Sequence, residues 1–360
     1  MERVRLARVV FFGGHTVRCP PTDQEAIILS KANSMGDLYA RLSTTGFDRE
    51  FVRSVILPEW WEDSLADVPA NRALAEDTIA RHLGMSLADL SRPSASLGLP
   101  SLSHVKFKRY KNRADETVAP ALVVAQRAAR ILVDAIPSLP EFDLDPWNPV
   151  TVRQAILRHS RYVTLASLTE FCWDLGIVVI HLAKTPKKSK LFDGLAMFCG
   201  DRPVLVLGSR RDSPAWLAFH LSHELGHVLK QHVTPGSPPL ADSDLTSAST
   251  DHQEKEADRA ACEILTGMPA PRLPDLKLTA PRLALTVAQE APERGVDPGV
   301  LALIYGRSNH RWGVAQSALK YLSLDSGGRD TITSALTKRL NPEALSESSE
   351  RFLTVLSPNS

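Results

Sequence analysis

The sequence predicts an α+β fold, predominantly helical, with one small three-stranded sheet set among the helices. Three observations lead there. Apolar residues recur at helical spacing over most of the chain. Between Ile177 and Leu207 that period gives way to short β-rich runs separated by turn-forming residues. The 360 residues, 43% hydrophobic and 23% charged, have the composition of a globular chain long enough for more than one sizeable core. Forty-two Lys plus Arg against 41 Asp plus Glu leave a net charge of +1, so net charge does not mark nucleic acid as a partner. The longest apolar run, Leu175 to Ala183, contains His181 and falls far short of the ~18 residues of a membrane span, so no membrane partner is expected. The apolar run near the N-terminus is too short for a secretory signal, and a cytoplasmic location is expected. Four scattered cysteines, Cys19, Cys172, Cys199 and Cys262, form no CxxC pair; they indicate neither a disulfide framework nor a thiolate zinc site and read as small buried hydrophobes.

Residues 1–20 alternate around Gly13-Gly14, which suggests a hairpin. Asp23 to about Leu90 is helical with a break at Pro58, and Trp60-Trp61 reads as core. Ala73 to Leu90 has a helix-turn-helix rhythm, but its second helix, Ser86 to Leu90, carries no Arg, Lys, Asn or Gln to read base edges. Lys106 to Arg113 holds five positive charges and two aromatics, which suit either phosphate contact with base stacking or an exposed strand. A helix over Val118 to Ala135, a Pro-rich linker over Pro137 to Pro149 and a helix over Thr151 to Trp173 follow. Then come three strands, Ile177–Leu182, Gly194–Cys199 and Pro203–Leu207. The expected organisation is an N-terminal helical region over 1–115, with a degenerate helix-turn-helix at 73–90, and a helix and linker over 116–149. A core over 150–270, a C-terminal helical subdomain over 271–325 and a tail over 326–360 complete it, with a helix near Thr331 to Leu340.

The next helix carries the chemistry. Asp212-Ser213-Pro214 opens it with a capping residue and a proline in the first turn. Inside it stand His223, Glu224 and His227. Residues four apart on a helix are separated by about 40° of azimuth and about 6 Å of rise, so both imidazoles can converge on one ion. Glu224, about 100° from His223, is placed to act as a base on water without itself becoming a ligand. This is the HExxH arrangement. A tetrahedral catalytic zinc (Zn2+) site needs a third protein ligand and keeps its fourth position open. The helix beginning near Asp251 offers Glu254 and Asp258 on one face: Glu254 as the ligand, Asp258 as acceptor for the N–H of a ligating histidine. Glu256 is about 200° from Glu254 and is the less favoured ligand. His220 reads as a hydrogen-bonded neighbour, His232 as an imidazolium on the last helical carbonyls, and His252 as a candidate to orient a reaction intermediate. Val233 to Asp251 lacks an apolar period and reads as a loop, disordered or acting as a lid.

HELGH at His223 to His227 followed by EKEADRAACEIL at Glu254 to Leu265 resembles the ImmA/IrrE family of bacterial metallo-endopeptidases, whose pattern pairs HExxH with a later E-x-x-A-[ND]-x-x-A stretch. The likeness extends through RPVLVLGSRRDSPAWLAFHLSHELGHVLKQH and GRSNHRWGVAQSALKYL, over about residues 150–325. The departures are Leu265-Thr-Gly-Met-Pro269 after the ligand helix, where Leu-Met-Pro is usual, and the long Pro-rich loop between the two ligand helices. The resemblance implies a zincin-like zinc peptidase domain that cuts a protein substrate, a helix-turn-helix transcriptional repressor, in stress response or mobile-element and toxin–antitoxin control. In that scheme Glu224 takes the proton of water and passes it to the leaving amine; from strand order alone, an edge strand around Gly194 to Phe198, with Gly194, Leu195 and Ala196 foremost, is expected to bind substrate backbone. The competing expectation is a non-catalytic, zinc-containing regulator or antitoxin-like protein that binds DNA or a partner; replacing Glu224 separates the two.

Overall fold

The computed structural model describes residues 9–12, 15–18, 34–99, 106–107, 115–136, 138–187, 189, 192–237, 239–242 and 252–358. Strands β1 (Val9–Phe12) and β2 (His15–Arg18) pair antiparallel as the expected hairpin; the Gly13-Gly14 turn and Cys19 lie outside the described residues. Then follow α1 (Met35–Thr44), the short α2 (Arg49–Phe51) continued by a π-helical turn over Val52–Ile56, α3 (Pro69–Leu83) and α4 (Leu87–Leu90). Gly84, at φ +62°, ends α3 in the left-handed conformation that glycine adopts without steric cost. The helix-turn-helix rhythm is therefore present, but α4 is a single turn of four residues and too short to lie along a groove as a recognition helix. The tryptophan pair divides: Trp61 is 2% exposed and in the core, whereas Trp60 is 59% exposed, because Pro58 turns the chain so that only one ring faces inward.

Five strands form a mixed sheet, two more than the sequence suggests. The expected three are β4 (Val178–His181), β5 (Gly194–Cys199) and β6 (Arg202–Leu207); β3 (Lys106–Phe107) and β7 (Leu240–Asp242) extend the sheet in the order β3-β7-β5-β6-β4. Strand β4 runs parallel to β6, β5 antiparallel to both β6 and β7, and β3 parallel to β7. The basic segment thus contributes an edge strand, and the rest of Lys106 to Arg113 lies outside the described residues. The Val233 to Asp251 segment is not wholly irregular, since its Leu240–Asp242 stretch pairs with β5; residues 243–251 lie outside the description. A run of three residues is too short to show a period, and its strand state is set by the partner strand.

Helix α5 (Asp115–Ala135) packs on β4, β5 and β6. The Pro-rich segment behind it is tied down rather than free: Phe142 sits edge-on to Phe198, and the Arg202 guanidinium donates to the carbonyls of Leu139, Pro140 and Gly176. The single helix expected over Thr151 to Trp173 is two, α6 (Pro149–Leu157) and α7 (Leu165–Asp174). Each begins with a reciprocal cap, Asn148 with Thr151 and Thr164 with Ser167, which satisfies the first free N–H groups and fixes a second start.

Helices α8 (Pro214–Leu229) and α9 (His252–Thr266) cross in close contact, followed by α10 (Ala280–Arg294), α11 (Pro298–Ser308), α12 (Trp312–Tyr321), α13 (Gly328–Thr337) and α14 (Glu347–Leu356). The tail's expected helix is α13, and α14 is an addition. Phe352 and Leu356 are fully buried and the Leu356 carbonyl accepts from Ala183 N–H at 2.7 Å, so the tail closes the core instead of trailing from it. Cys172, Cys199 and Cys262 are buried, as small hydrophobes. No described helix is long and apolar enough to cross a membrane.

Candidate metal centre

Ser213 occupies the N-cap position of α8 with Pro214 in its first turn. Asp212 is used differently: its carboxylate accepts from the backbone N–H groups of Gly327 and Arg329 at 3.0 and 2.8 Å and ties the C-terminal segment to the start of the helix. Apart from Pro214 and Phe219, every residue of α8 is buried, against the sheet on one side and α9 on the other. Gly226 permits the crossing, because a Cβ there would stand 3.1 Å from both the Ala257 carbonyl and the Ala260 methyl.

At the crossing, His223, His227 and Glu254 converge, with ligand atoms all within 4.8 Å of one another. His223 Nε2 and His227 Nε2 are 3.1 Å apart, and the Glu254 carboxylate oxygens lie 3.3 Å from the first and 3.8 Å from the second. Donors about 2.0–2.1 Å from a tetrahedral ion are about 3.3 Å from each other, so the two imidazoles and one carboxylate fit zinc in both donor type and spacing. All three residues are at most 3% exposed. Glu256 does not join them; its carboxylate reaches His232 at 3.2 Å and His252 at 3.0 Å. His220 also stays outside, with its ring stacked on Trp216.

Each metal-facing imidazole is held from behind. His223 Nδ1 donates to Asp258 Oδ1 at 3.1 Å, the partner the helix spacing predicts, and Arg307 donates to Asp258 Oδ2 at 2.8 Å. Burial alone would raise the Asp258 pKa, but the His223 hydrogen bond, the His223 charge and the Arg307 guanidinium outweigh it and lower it. On the other side, His227 Nδ1 meets His232 Nδ1 at 2.9 Å, and His232 Nε2 meets Glu256 at 3.2 Å. With Glu256 accepting from His232 Nε2–H, His232 Nδ1 accepts from His227 Nδ1–H, and the lone pair of His227 Nε2 is left for the ion. Desolvation opposes the charge on Glu256, yet its His232 hydrogen bond and the neighbouring imidazoles lower its pKa.

This replaces two sequence expectations. His232 does not cap α8 as an isolated cation: Gln231, at φ +55°, turns the chain so that the His232 ring folds back onto His227. His252, with its side chain 84% exposed, packs on Glu256 away from the metal-facing atoms, so it is not placed to orient an intermediate. Arg307, from α11, is a further positioning residue that sequence reasoning does not assign, although it lies in the segment quoted for the C-terminal likeness.

Glu224 is 1% exposed and lies against the start of β5, where a Cβ on residue 194 would collide with its carboxyl group. Gly194 thus makes room for the acid. The expected role of Gly194, Leu195 and Ala196 as a free edge is corrected here: they pair with Asp242, Ala241 and Leu240 on one side and with β6 on the other, so β5 is an interior strand.

Residues 172–277 match the family model described as the IrrE N-terminal-like domain, Peptidase_M78. The match covers less than a third of the chain, from within α7 through β4–β7 to just beyond α9, and includes all three converging donors but not Arg307. This part of the chain is therefore similar to peptidase domains of the ImmA/IrrE type, and the fold around it is α+β and mainly helical. None of the curated proteins compared with the chain matches it.

Proposed function

We propose that the chain is a zinc-dependent endopeptidase in which His223, His227 and Glu254 hold the ion and Glu224 moves the proton. We infer that its substrate is a regulatory protein, a helix-turn-helix transcriptional repressor in stress response or mobile-element control. The carrying observation is the convergence of three buried donors beside a fourth buried carboxylate that a glycine accommodates. Zinc, when bound, polarises a carbonyl and acidifies water. The chain's own residues do the rest. Glu224 accepts a proton from water as the water oxygen adds to the carbonyl carbon, and it then returns that proton to the amine nitrogen, whereupon the C–N bond breaks and the amine leaves. Asp258 and His232 keep each imidazole's Nδ1 engaged and its Nε2 aimed at the ion. Arg307 fixes Asp258 in turn.

Glu224→Gln tests the reading against the regulator alternative. Elemental analysis is expected to find one zinc per chain in both proteins, with peptide cleavage in wild type alone. Regulatory activity that survives the substitution undiminished would favour the non-catalytic regulator. Glu254→Ala is expected to lose the zinc and Glu256→Ala to keep most of it.

A further inference from the structure

The Glu224 carboxyl group lies against the start of β5, where a Cβ on residue 194 would stand 2.1 Å from Glu224 Oε1. A peptide bond on which Glu224 acts must therefore come to this end of β5. An extended peptide gains its main-chain hydrogen bonds by pairing with a strand edge, and a sheet strand has only two edges. Strand β6 holds one of them over the full length of β5. The other is held at the Glu224 end by β7: Gly194 faces Asp242, Leu195 faces Ala241 and Ala196 faces Leu240. Antiparallel partners have Cα atoms about 4.5–5.5 Å apart, so, with the Gly194 contact, the backbone at Asp242 lies within about 9 Å of the Glu224 carboxyl group. The chain's own backbone stands where a substrate backbone has to stand.

Strand β7 is weakly held there. It is only Leu-Ala-Asp, of which Ala and Asp are poor strand formers. Pro239, just before it, has no N–H to add to the ladder. On its far side only Lys106 and Phe107 pair with it. The buried Leu240 is its apolar anchor. A peptide that takes its place remakes the hydrogen bonds with β5 that it breaks, so the exchange chiefly gives up the burial of one leucine. Nine residues separate Asp242 from His252 at the start of α9. Extended, nine residues span about 30 Å, so β7 can leave β5 without drawing Glu254 away from His223 and His227.

Resting on the peptidase reading above, we propose that β7 is an inhibitory strap: it occupies, within the same chain, the backbone position that a substrate takes along β5 beside Glu224. The substrate enters by exchange with β7, as an extended segment. A helix or a paired hairpin strand cannot make that exchange, so the segment cut is one that is unpaired in its own protein. As a competitor in the same chain, β7 raises the apparent KM by the inverse of the fraction of time it is away and leaves kcat unchanged.

Three variants test the strap. Leu240→Asp removes the apolar anchor and Ala241→Pro a backbone N–H. Ala196→Cys with Leu240→Cys sets thiols on directly paired residues, so that oxidation locks β7 in place. Each zinc-loaded full chain is checked by thermal melting and elemental analysis, and hydrogen exchange at Gly194, Leu195 and Ala196 reads the release of β7. Kinetics are measured on an unstructured peptide, chosen from a randomised library because at least one of these proteins cuts it. The two release variants are expected to speed exchange and to lower KM at least tenfold at unchanged kcat; cleavage by the release variants alone is the extreme of this result. The oxidised double-cysteine protein is expected to cut at least tenfold more slowly than the same protein after reduction with a phosphine. Equal rates for the locked and reduced forms, or faster exchange with KM unchanged, overturn the strap and leave the peptidase reading standing. Should neither release variant fold, the locked and reduced forms decide. If none of the proteins cuts any peptide, the peptidase reading falls, and the strap is judged by capture of the same library in the Glu224→Gln background. More peptide retained when Leu240→Asp or Ala241→Pro is added keeps it; equal retention overturns it.

Discussion

Histidines are buried in two regions of this molecule, and the same degree of burial serves opposite ends. At the candidate metal centre, His223 and His227 are backed by chains that finish in carboxylates, Asp258 behind one and Glu256 behind the other. Away from it, His82 is stacked on Phe352 with its Nε2 on the Ser348 hydroxyl, and His181 lies 3.0 Å from the Ser209 carbonyl. Burial drives both of these pKa values down from 6.5 to about 4, and for His82 the charges of Arg127, Arg81 and Arg351 add to it. The partner decides the role. A carboxylate makes an imidazole a better donor to a cation, whereas at His82 and His181 burial keeps the ring neutral, at His181 against the opposing pull of the Ser209 carbonyl and Asp212, and makes it a packing element.

That contrast can be broken by experiment. The largest effect is expected from Glu224→Gln, which lowers turnover by about two to four orders of magnitude and leaves zinc content unchanged by elemental analysis; a variant that still turns over at the wild-type rate would remove the mechanism.

The next prediction concerns the packing histidines. Their folded pKa lies below the unfolded value, so the unfolded chain binds more protons between the two. The stability they provide is complete above about pH 6.5 and is lost as the pH falls toward 4. A shift of this size corresponds to a few kcal/mol for each group. Urea midpoints measured across that window should fall steeply in wild type and less so in His82→Gln; an unchanged slope in the variant would show that His82 is not held neutral.

Third, Asp258→Asn should weaken zinc binding about 10- to 100-fold in competition with a chelating dye. Arg307→Ala should have a smaller effect in the same direction, since it touches the metal's ligand only through Asp258. The smallest effect is expected from His232→Asn, about tenfold or less in zinc affinity, because its supporting carboxylate is the more exposed of the two, 36% against 18%. Equal losses from Asp258→Asn and His232→Asn would show that exposure of the supporting carboxylate does not grade the two sides.

Much of the centre was legible in the sequence because helix geometry is local. Spacings of four residues place His223 with His227 and Glu254 with Asp258, whatever the rest of the chain does. The preference for Glu254 over Glu256 rests on the same rotation about one axis. Two of the three strand runs, Ile177–Leu182 and Pro203–Leu207, were legible from their β-branched and Leu content, whereas Gly194–Cys199 has no β-branched residue and was marked by its length and the turn-forming residues around it. His232 and Arg307 were not legible. One depends on a single left-handed residue, Gln231, that folds a ring back on its own helix, and the other comes from a separate helix, 49 residues downstream of the Asp258 it holds. No sequence period encodes either contact.

The sequence by itself determined most of the helices, the three central strands and the candidate residues His223, Glu224, His227 and Glu254, because each follows from local propensities and from spacing within one helix. Tertiary structure alone decided that Gly226 lets α8 and α9 meet and that Gly194 makes room for Glu224. It also decided that β7 covers β5 and that α14 closes the core. Each of these is a contact between segments far apart in the chain, set by the volume and shape left when several elements pack at once. Periodicity reports which face of an element is apolar; it does not report what that face will meet.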